Sequence, residues 1–154
     1  MYTTQITRKV EFDAGHRIPS HDSKCRNVHG HRYVLEVTIE GPVKANRGLS
    51  DDGMVVDFSN IKQILNDLFV DKWDHAFLVY ELDSSMRAAL ESLFVGHNTV
   101  VLPFIPTAEK LAEYVFDTLS DYLILVNSPC KVFRVKLYET PNCFAEIYAA
   151  KRIR

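Results

Sequence analysis

The sequence of 154 residues has few cysteines, no long apolar run and no large excess of charge. Its three cysteines, an odd number, do not form the pattern of a disulfide framework, so we expect a reduced, cytoplasmic protein. No apolar stretch approaches the roughly 20 residues that a transmembrane helix needs. The N terminus also lacks the layout of a signal peptide. A net charge of -2 argues against nucleic acid as a partner, because nucleic-acid-binding surfaces are basic.

The residues that are present fit an ordinary globular protein. Hydrophobic residues make up 47% of the chain and charged residues 25%, which is typical of a folded domain with an apolar core. No internal repeat, low-complexity segment or linker interrupts the chain. We therefore expect a single domain over residues 1–154.

Alternating apolar and polar residues predict two half-buried strands in the first third of the chain. In residues 4–14 the apolar side carries Ile6, Val10, Phe12 and Ala14. Continuing this alternation puts His16 on the same side, unless Gly15 introduces a bulge. In residues 32–40 the apolar side carries Tyr33, Leu35, Val37 and Ile39. Both strands are therefore expected to present one face to a core.

Two helices are predicted from apolar residues at helical spacing. The first begins near Asp57 or Ser59, either of which could cap it, and its apolar stripe is Phe58, Ile61, Leu65 and Leu68. The second begins near Thr107, and its stripe is Leu111, Val115 and Leu119. Between them, residues 78–105 have no clear assignment apart from a helical pattern over Met86–Phe94.

Two further strands are predicted near the C terminus, over 131–139 and 143–150, around a turn at residues 140–142. The order of two strands, helices and two strands indicates an α+β fold. We therefore expect a four-stranded antiparallel sheet with two main helices on one face.

The run Cys25-Arg26-Asn27-Val28-His29-Gly30-His31 leads directly into the second strand. His29 and His31 are two residues apart, so in extended backbone they point to the same face, the apolar one that continues through Tyr33. His16 arrives on the corresponding face of the first strand. Three protein ligands with an open fourth position are the usual arrangement of catalytic zinc, so these histidines predict a Zn²⁺ site. Core or capping histidines are the alternative interpretation.

Cys25 lies four residues before His29, and three roles are open to it. As a fourth ligand it would close the site and make the zinc structural. As a thiolate beside the metal, made more acidic by its basic neighbours, it would act as a base or nucleophile. As an ordinary buried cysteine it would have no chemical role, which is what we expect of Cys130 and Cys143.

Glu139 ends an apolar face in the strand predicted over 131–139, after Phe133, Val135 and Leu137. Burying a carboxylate without a partner is costly, so it needs a cation or a group with several donors. A ring with two adjacent N–H donors, such as guanine or a pterin, would suit it. The alternative is that the strand ends one residue earlier and Glu139 is solvated.

Two weaker signals are Asp74-His75 and Glu109. An aspartate can orient a neighbouring imidazole for proton transfer, but adjacent side chains diverge on a strand, so such a pair needs a loop or a helix start. Helix capping by Asp74 explains the dipeptide equally well. Glu109 falls in the first turn of the second helix, where the helix dipole is a sufficient explanation. His21 and His97 follow no pattern, so both are expected at the surface.

Together these residues resemble the 6-pyruvoyl-tetrahydropterin synthase family. The matching blocks run in order from about residue 6 to residue 150, and they are Phe12-Asp13-Ala14-Gly15-His16, Cys25-x3-His29-Gly30-His31, Val55-Val56-Asp57-Phe58, Trp73-Asp74-His75-Ala76-Phe77-Leu78, Pro106-Thr107-Ala108-Glu109 and Tyr138-Glu139-Thr140. Singly most blocks are weak, but together they are highly specific. Within the family the chain is most similar to the bacterial branch, the 6-carboxytetrahydropterin synthases of queuosine biosynthesis.

The resemblance implies a tunnelling fold (T-fold), in which antiparallel four-stranded units form a trimeric barrel and two trimers stack into a hexamer. It implies Zn²⁺ on His16, His29 and His31, with Cys25 as the proton acceptor. It also implies that the active sites lie at subunit interfaces, where residues that are distant in one chain meet.

The resemblance further implies a substrate and its contacts. Asp74 and His75 match the family's proton-relay pair. Glu139 matches its pterin anchor, which is sometimes assigned to the relay as well, and Glu109 matches a further carboxylate near the pterin. The implied substrate is 7,8-dihydroneopterin triphosphate. In the carboxy branch the products are 6-carboxy-5,6,7,8-tetrahydropterin, acetaldehyde and triphosphate.

Two rival functions stay open. Three residues between Cys25 and His29 favour the carboxy branch over the animal pyruvoyl enzymes, which retain the substrate side chain and typically have a longer spacing. A non-catalytic pterin-binding or structural zinc protein is an alternative of another class. Segment 79–105 is longer than in compact bacterial members, so no substrate contact is transferred to it. The groups that bind triphosphate are unassigned, although three cations are close in sequence: Arg17, Lys24 and Arg26.

Overall fold

The computed structural model describes residues 2–149, which form one six-stranded sheet and four α-helices. The strands are β1 Thr4–His16, β2 His29–Gly41, β3 Ala76–Tyr80, β4 Thr99–Leu102, β5 Lys131–Thr140 and β6 Cys143–Tyr148. The helices are α1 Phe58–Leu65, α2 Asp71–Trp73, α3 Ser84–Leu93 and α4 Ala108–Leu125. The order across the sheet is β4-β3-β1-β2-β5-β6, so the two strands that carry the histidines are neighbours at its centre.

β1 and β2 form a long antiparallel pair whose register is regular to its end, where His16 lies opposite His29. This confirms both predicted strands and the alternation that placed His16 on the core face, where it is 1% exposed. The bulge considered at Gly15 is absent, because Gly15 pairs with Gly30 without a shift.

The paired glycines allow the two strands to approach closely just before the histidines. A Cβ atom on Gly15 would lie 2.7 Å from the ring of Phe77. A Cβ atom on Gly30 would lie 2.8 Å from the backbone oxygen of Ala14, which cannot move aside without disturbing β1. The glycine of the His-Gly-His motif is therefore required by space, since a side chain there would separate the strands.

The sheet has six strands, and the prediction of four antiparallel strands is wrong in both number and direction. β3 pairs with β1 in parallel, and β4 pairs with β3 in parallel, so the sheet is mixed. Ala76 and Leu78 face the main core, while Phe77 and Val79 pack against Leu90 of α3. Because β3 is buried on both faces, its residues do not alternate and give no strand signal.

The predicted helices are present with their caps. α1 follows Asp57, whose carboxylate accepts a hydrogen bond from the Ser59 amide. α4 follows Thr107, whose hydroxyl accepts one from the Lys110 amide. α3 matches the helical pattern seen over Met86–Phe94 and covers the face of β3 that points away from the main core. The two main helices thus lie on the core side, as predicted.

The apolar stripe predicted for the first helix is interrupted after Leu65, where the helix becomes irregular. A π-helical turn, Asn66–Val70, separates α1 from α2. Because this turn is wider than an α-helical one, Phe69 rather than Leu68 is fully buried. At the other end of the stripe, Phe58 is 49% exposed.

β5 and β6 form the predicted hairpin, but β5 contains a register shift that its sequence does not reveal. The shift places both Val132 and Val135 in the core. Phe133, predicted on the apolar face, leaves it and packs edge-on against an aromatic ring of β6. β5 extends one residue beyond Glu139, which therefore belongs to the strand. The final residue of the predicted hairpin, residue 150, lies outside the described residues.

The main core lies between β1, β2 and β5 on one side and α1 and α4 on the other. Its fully buried side chains include Tyr33, Leu35, Leu65, Leu111, Val115 and Leu137. Each such side chain stabilises the fold by about 1.5–3 kcal/mol through loss of apolar surface to water. His16 continues this core at the end of β1. No helix within residues 2–149 is long and apolar enough to span a bilayer.

Candidate metal centre and active site

Three histidines come together at the end of the β1–β2 pair. His16 is the last residue of β1, while His29 and His31 begin β2. Their ring centroids are 4.5 to 5.1 Å apart, and one nitrogen of each lies within 4.8 Å of the others. His16 is buried, and the other two are half-buried. The cluster is thus closed on the core side and accessible on the other.

Backbone carbonyls decide which ring nitrogens of the cluster are free. Nδ1 of His16 lies 2.7 Å from the carbonyl oxygen of Pro106, and Nδ1 of His29 lies 2.7 Å from that of Asn27. A carbonyl only accepts, so each Nδ1 carries a proton and donates it. In the neutral rings, both Nε2 atoms then present lone pairs, and they are 3.1 Å apart. Two lone pairs at this distance repel each other unless a cation lies close to both.

The donor set fits zinc. Three neutral imidazoles with a free fourth position form a known catalytic zinc arrangement. Nitrogens about 2.0–2.1 Å from a tetrahedral zinc are roughly 3.3–3.4 Å apart. The separation of 3.1 Å between His16 and His29 is close to this. Hydrogen bonds from the outer ring nitrogens to carbonyls are also the usual way in which proteins orient such ligands.

Burial keeps His16 and His31 neutral. It lowers the pKa of His16 to about 4 against the opposing effect of the hydrogen bond to the Pro106 carbonyl, and the two neighbouring histidines lower it further by smaller amounts. The pKa of His31 is also lowered, first by burial and then by His29. At neutral pH both imidazoles are therefore in the unprotonated form that binds metal.

Cys25 lies outside this cluster. It occupies a single 3₁₀ turn, Lys24–Arg26, in the connection between β1 and β2, and it is partly buried. Within residues 2–149, the three histidines are the only group of three or more His, Cys, Asp or Glu side chains with ligand atoms within 4.8 Å. This geometry does not support Cys25 as a fourth ligand. It corresponds to an open site with three protein ligands.

Glu139 lies beside the cluster, with Oε1 3.8 Å from Nε2 of His16. Burial raises the pKa of Glu139, and the nearby Glu109 carboxylate raises it further, while His29 lowers it. Glu109 itself is exposed in the first turn of α4. Apart from His16, no cationic side chain of the described residues lies within 4 Å of the Glu139 carboxylate. A ligand with N–H donors would supply the partners that the carboxylate lacks.

Asp74 and His75 form a hydrogen-bonded pair at the start of β3. Oδ2 of Asp74 lies 2.9 Å from Nδ1 of His75, and Oδ1 accepts a hydrogen bond from the Asp13 amide at 2.8 Å. The pKa of Asp74 is lowered, chiefly by this amide. The pair forms because His75 has a left-handed backbone, with φ of 57°, so the two side chains do not diverge as on a strand. Asp74 follows α2 and caps no helix N terminus.

One chain does not bring this pair to the centre of the histidine cluster. Asp74 and His75 bond to each other, to Asp13 and to Asn98, and the side chain of His75 is 78% exposed. His75 lines a cleft of about 540 Å³ that touches His31 but not the two other histidines of the cluster. In the described part of the chain, His75 therefore shares a cleft with His31 but not with His16 or His29.

Sequence reasoning missed an ion pair near the site. Arg17, considered above as a phosphate-binding group, makes a bidentate contact with Asp83 at 2.6 and 2.7 Å. Lys24 and Arg26 are exposed, as a phosphate-binding role would require. Asp83 is the N-cap of α3, and the run of Asp83 and two serines was a sequence signal for that cap. Its pairing with Arg17, 66 residues away, has no sequence signal.

The remaining cysteines and histidines lie apart from the histidine cluster. Cys130 is half-buried, whereas Cys143 is exposed, so the expectation that both are buried is wrong for Cys143. His21 is exposed, as predicted, and accepts a hydrogen bond from the Ser23 amide. His97 is half-buried and bonds to Thr99.

The chain matches known proteins over nearly its whole length. The sequence profile of 6-pyruvoyl tetrahydropterin synthase matches residues 5–150. The chain is 39% identical over 143 residues to the 6-carboxy-5,6,7,8-tetrahydropterin synthase of Rickettsia bellii, and the match covers 93% of this chain and 99% of that protein. It is 33% identical over 145 residues to the protein of the same name from Haemophilus influenzae, which covers 92% and 96% respectively.

Solved structures share the α+β fold at lower identity. An uncharacterized protein from Wolinella succinogenes, 23% identical, has a TM-score of 0.76 over 97% of this chain and all of its own. The 6-pyruvoyl tetrahydropterin synthase of Plasmodium vivax, 16% identical, has a TM-score of 0.71 over 97% of this chain and 99% of its own. These neighbours support the T-fold that the resemblance implies. On the profile match and these identities, the chain belongs to the 6-pyruvoyl tetrahydropterin synthase family.

Proposed function

We propose that the chain is a 6-carboxy-5,6,7,8-tetrahydropterin synthase. It converts 7,8-dihydroneopterin triphosphate and one water molecule to 6-carboxy-5,6,7,8-tetrahydropterin, acetaldehyde and triphosphate. The observation that carries the proposal is the cluster of three histidines, two of which have free Nε2 atoms 3.1 Å apart, in a chain 39% identical to a relative of that name.

In this proposal His16, His29 and His31 hold a zinc ion. When bound there, zinc supplies a Lewis acid for the side-chain hydroxyl oxygens of the substrate, which stabilises negative charge as a proton leaves the adjacent carbon. The chain contributes by burying His16 and His31, which keeps these two imidazoles neutral. It also orients two of them through the carbonyls of Pro106 and Asn27.

Cys25 accepts the proton that leaves the substrate. The thiol lies in the connection between the two metal-binding strands and is not one of the clustered ligands, so it is free to act as a base. Exposed cations flank it on both sides. These cations, Lys24 and Arg26, are also the groups we assign to the triphosphate.

Asp74 and His75 return the proton. The carboxylate of Asp74 accepts from Nδ1 of His75, which leaves Nε2 of the exposed ring available for proton transfer. Because His75 lines a cleft that contains His31 but neither His16 nor His29, we propose that the pair serves the site of a neighbouring subunit. This requires an oligomer, which we propose to be a hexamer of two stacked trimers, with the active sites at subunit interfaces.

Glu139 fixes the pterin ring through paired hydrogen bonds from ring N–H groups. Its support is the position 3.8 Å from His16 and the shortage of donors around its half-buried carboxylate. Such anchoring would hold the reacting carbon of the side chain at the metal and the thiol. Glu109, close enough to raise the pKa of Glu139, is assigned as a second carboxylate near the ring.

The test is incubation of the zinc-loaded protein with 7,8-dihydroneopterin triphosphate, followed by mass spectrometry of the pterin and assay of acetaldehyde. We expect a carboxylated tetrahydropterin and acetaldehyde in equal amounts. Chelation of the metal should abolish turnover, and added Zn²⁺ should restore it. Release of triphosphate with the three-carbon side chain retained would identify a pyruvoyl synthase instead.

A Cys25→Ala variant separates catalysis from a structural role. We expect turnover to be lost while zinc is retained at one ion per chain, because the cysteine is not among the clustered ligands. The matched control is Cys143→Ala, which removes an exposed cysteine and should leave turnover unchanged. Loss of zinc and of folding in Cys25→Ala alone would instead indicate a closed structural zinc site.

A further inference from the structure

An ion pair joins the residue after His16 to the N terminus of α3. Nε and Nη2 of Arg17 donate to the two carboxylate oxygens of Asp83 at 2.7 and 2.6 Å. Nη2 also reaches the hydroxyl of Ser85 at 3.1 Å. The side chain of Asp83 is 3% exposed and that of Arg17 is 23% exposed. A planar, bidentate contact of this kind fixes direction as well as distance.

The carboxylate of Asp83 is itself firmly placed. It caps α3 by accepting from the Met86 amide, and its own amide donates to the Tyr80 carbonyl. α3 packs on β3 through Leu90 and Phe77. β3 lies alongside β1, with Leu78 opposite His16. The anchor for Arg17 is therefore attached to the same part of the sheet as the histidine cluster.

Arg17 begins the connection that carries Cys25. The amide of the next residue, Ile18, donates to the carbonyl of Cys25 at 2.8 Å, which closes residues 18–25 into a loop. Among the hydrogen bonds and ion pairs found for residues 2–149, only those of Arg17 join a side chain of the connection 17–28 to anything beyond its flanking strands. Arg17 thus attaches the loop to the start of α3, one residue before Ile18, whose amide holds the backbone of Cys25.

We infer that the Arg17–Asp83 pair is a positioning device that sets the place of Cys25 relative to the substrate held at the three histidines. Arg17 acts through the loop and touches no reacting atom, so it is a positioning residue and not a catalytic one. The inference rests on the proposed function, in which Cys25 accepts the proton. Because Asp83 belongs to the long segment 79–105, the inference also gives part of that segment a role in positioning Cys25.

The test uses the full-length, zinc-loaded protein and the paired change Arg17→Met with Asp83→Asn. Both charges are removed together, because a lone buried carboxylate could unfold the protein. Asparagine still caps α3. We expect kcat to fall by about 10–100-fold, the cost of a small misplacement of a reacting group, with little change in KM and full zinc content. The single variant Arg17→Lys keeps the positive charge but not the planar, bidentate contact, so it should keep only part of the parent's kcat.

A second readout needs no substrate. In a background with Cys130 and Cys143 replaced by serine, Cys25 is the only remaining cysteine. Its rate of alkylation by iodoacetamide should rise severalfold in the paired variant, because the untied loop opens more often. A merely stabilising ion pair would change the melting temperature without changing either kcat or this rate.

Arg134→Met is the matched control. The Arg134 side chain is 24% exposed and pairs with two carboxylates on the sheet, Glu36 and Glu146, so its loss tests destabilisation alone. It should leave kcat and the alkylation rate unchanged. The inference is overturned if the paired variant keeps kcat and the alkylation rate of the parent, or if the control shows the same fall in kcat and the same rise in alkylation rate. Should the unaltered protein fail to turn over the substrate, the proposed function fails, whereas the alkylation rate still decides whether the pair positions Cys25.

Discussion

At the scale of single residues, the chemistry of the site depends on which nitrogen of each imidazole carries its proton. The carbonyls of Pro106 and Asn27 hold the Nδ1 protons of His16 and His29, and burial keeps the ring of His16 from taking up a second proton. Because both acceptors are backbone groups, the residue types at these positions do not predict their role. Two free nitrogens facing each other at 3.1 Å are therefore a product of backbone placement, and they suit the cluster to a metal ion.

Replacing His16 by alanine should weaken zinc binding by more than about 100-fold, because even the loss of a group that orients a ligand costs about 10–100-fold. Competition with a chromophoric chelator measures the affinity. His21→Ala is the matched control, since that exposed histidine bonds only to the neighbouring Ser23 amide, and it should bind zinc like the parent. Unchanged affinity in His16→Ala would rule out the proposed centre.

The metal-free protein should lose stability as the pH falls from 6.5 towards 4. The unfolded chain protonates His16 near its ordinary pKa of 6.5, whereas the folded chain does so only at about 4. Between these values the unfolded state binds more protons, so the free energy of unfolding decreases with falling pH, by up to about 3 kcal/mol for this group. The lowered pKa of His31 acts in the same direction.

Urea denaturation of the metal-free protein at several pH values between 7.5 and 4.5 measures this effect. A His16→Asn variant, which has no titrating ring at that position, should show a shallower decrease of the unfolding free energy with falling pH. Equal slopes for the two proteins would show that His16 is not the group responsible.

At the scale of elements, the β1–β2 pair acts as the frame of the cluster. Regular pairing up to His16 opposite His29 brings two strands together without a loop or a bulge between the ligands. The close approach depends on Gly15 and Gly30, which lie opposite each other one residue before the end of the pair. A small change at this pair should therefore be transmitted directly to the metal ligands.

Gly30→Ala should destabilise the fold by about 1–3 kcal/mol, because its Cβ would lie 2.8 Å from a backbone oxygen of β1. Zinc affinity should fall with it, since both neighbouring ligands must shift. Urea denaturation and chelator competition measure the two effects. Gly53→Asn is the control, since that glycine has open space around it and a positive φ that asparagine tolerates. A Gly30→Ala protein with the parent's stability and affinity would disprove the steric requirement.

Elements also show where sequence patterns succeed and fail. β1, β2 and α4 were predictable because their apolar residues repeat with the period of the element, although β2 also buries Glu36 and Thr38 on its other face. β3 was missed because both of its faces are covered, which removes the alternation. The register shift in β5 moved Phe133 off its predicted face, and the π-turn after α1 buries Phe69 in place of the predicted Leu68, since an irregular residue changes the spacing of the residues beside it.

At the scale of the whole molecule, one chain does not bring all the proposed site residues into one cleft. Glu139 lies 3.8 Å from His16, whereas His75 lines a cleft that contains His31 but not His16, His29 or Glu139. If the pair serves a neighbouring subunit, as proposed, two kinds of inactive subunit should complement each other when they assemble together.

Co-expression of Cys25→Ala and His75→Ala subunits in equal amounts should restore about a quarter of the parent's turnover, because random assembly gives each interface site an intact cysteine and an intact imidazole half of the time each. Each variant alone should be nearly inactive. A tagged copy of each variant allows the mixed oligomer to be purified and its mass measured. An inactive mixed oligomer would show that Cys25 and His75 must come from the same chain.

The sequence by itself determined the strands that carry the histidines, the face on which His16, His29 and His31 lie, and the caps of the main helices. These are local properties, because the period of apolar residues and the preferences of caps and turns are encoded within a few residues. Its motifs also carried the family resemblance.

Only the tertiary structure decided that the Pro106 carbonyl orients His16, that Arg17 is bound to Asp83, and that His75 shares a cleft with His31 but not with His16 or His29. These are contacts between segments far apart in the chain. They depend on the packing of the whole sheet, and neither a backbone carbonyl nor a distant partner leaves a mark in the local pattern of residue types.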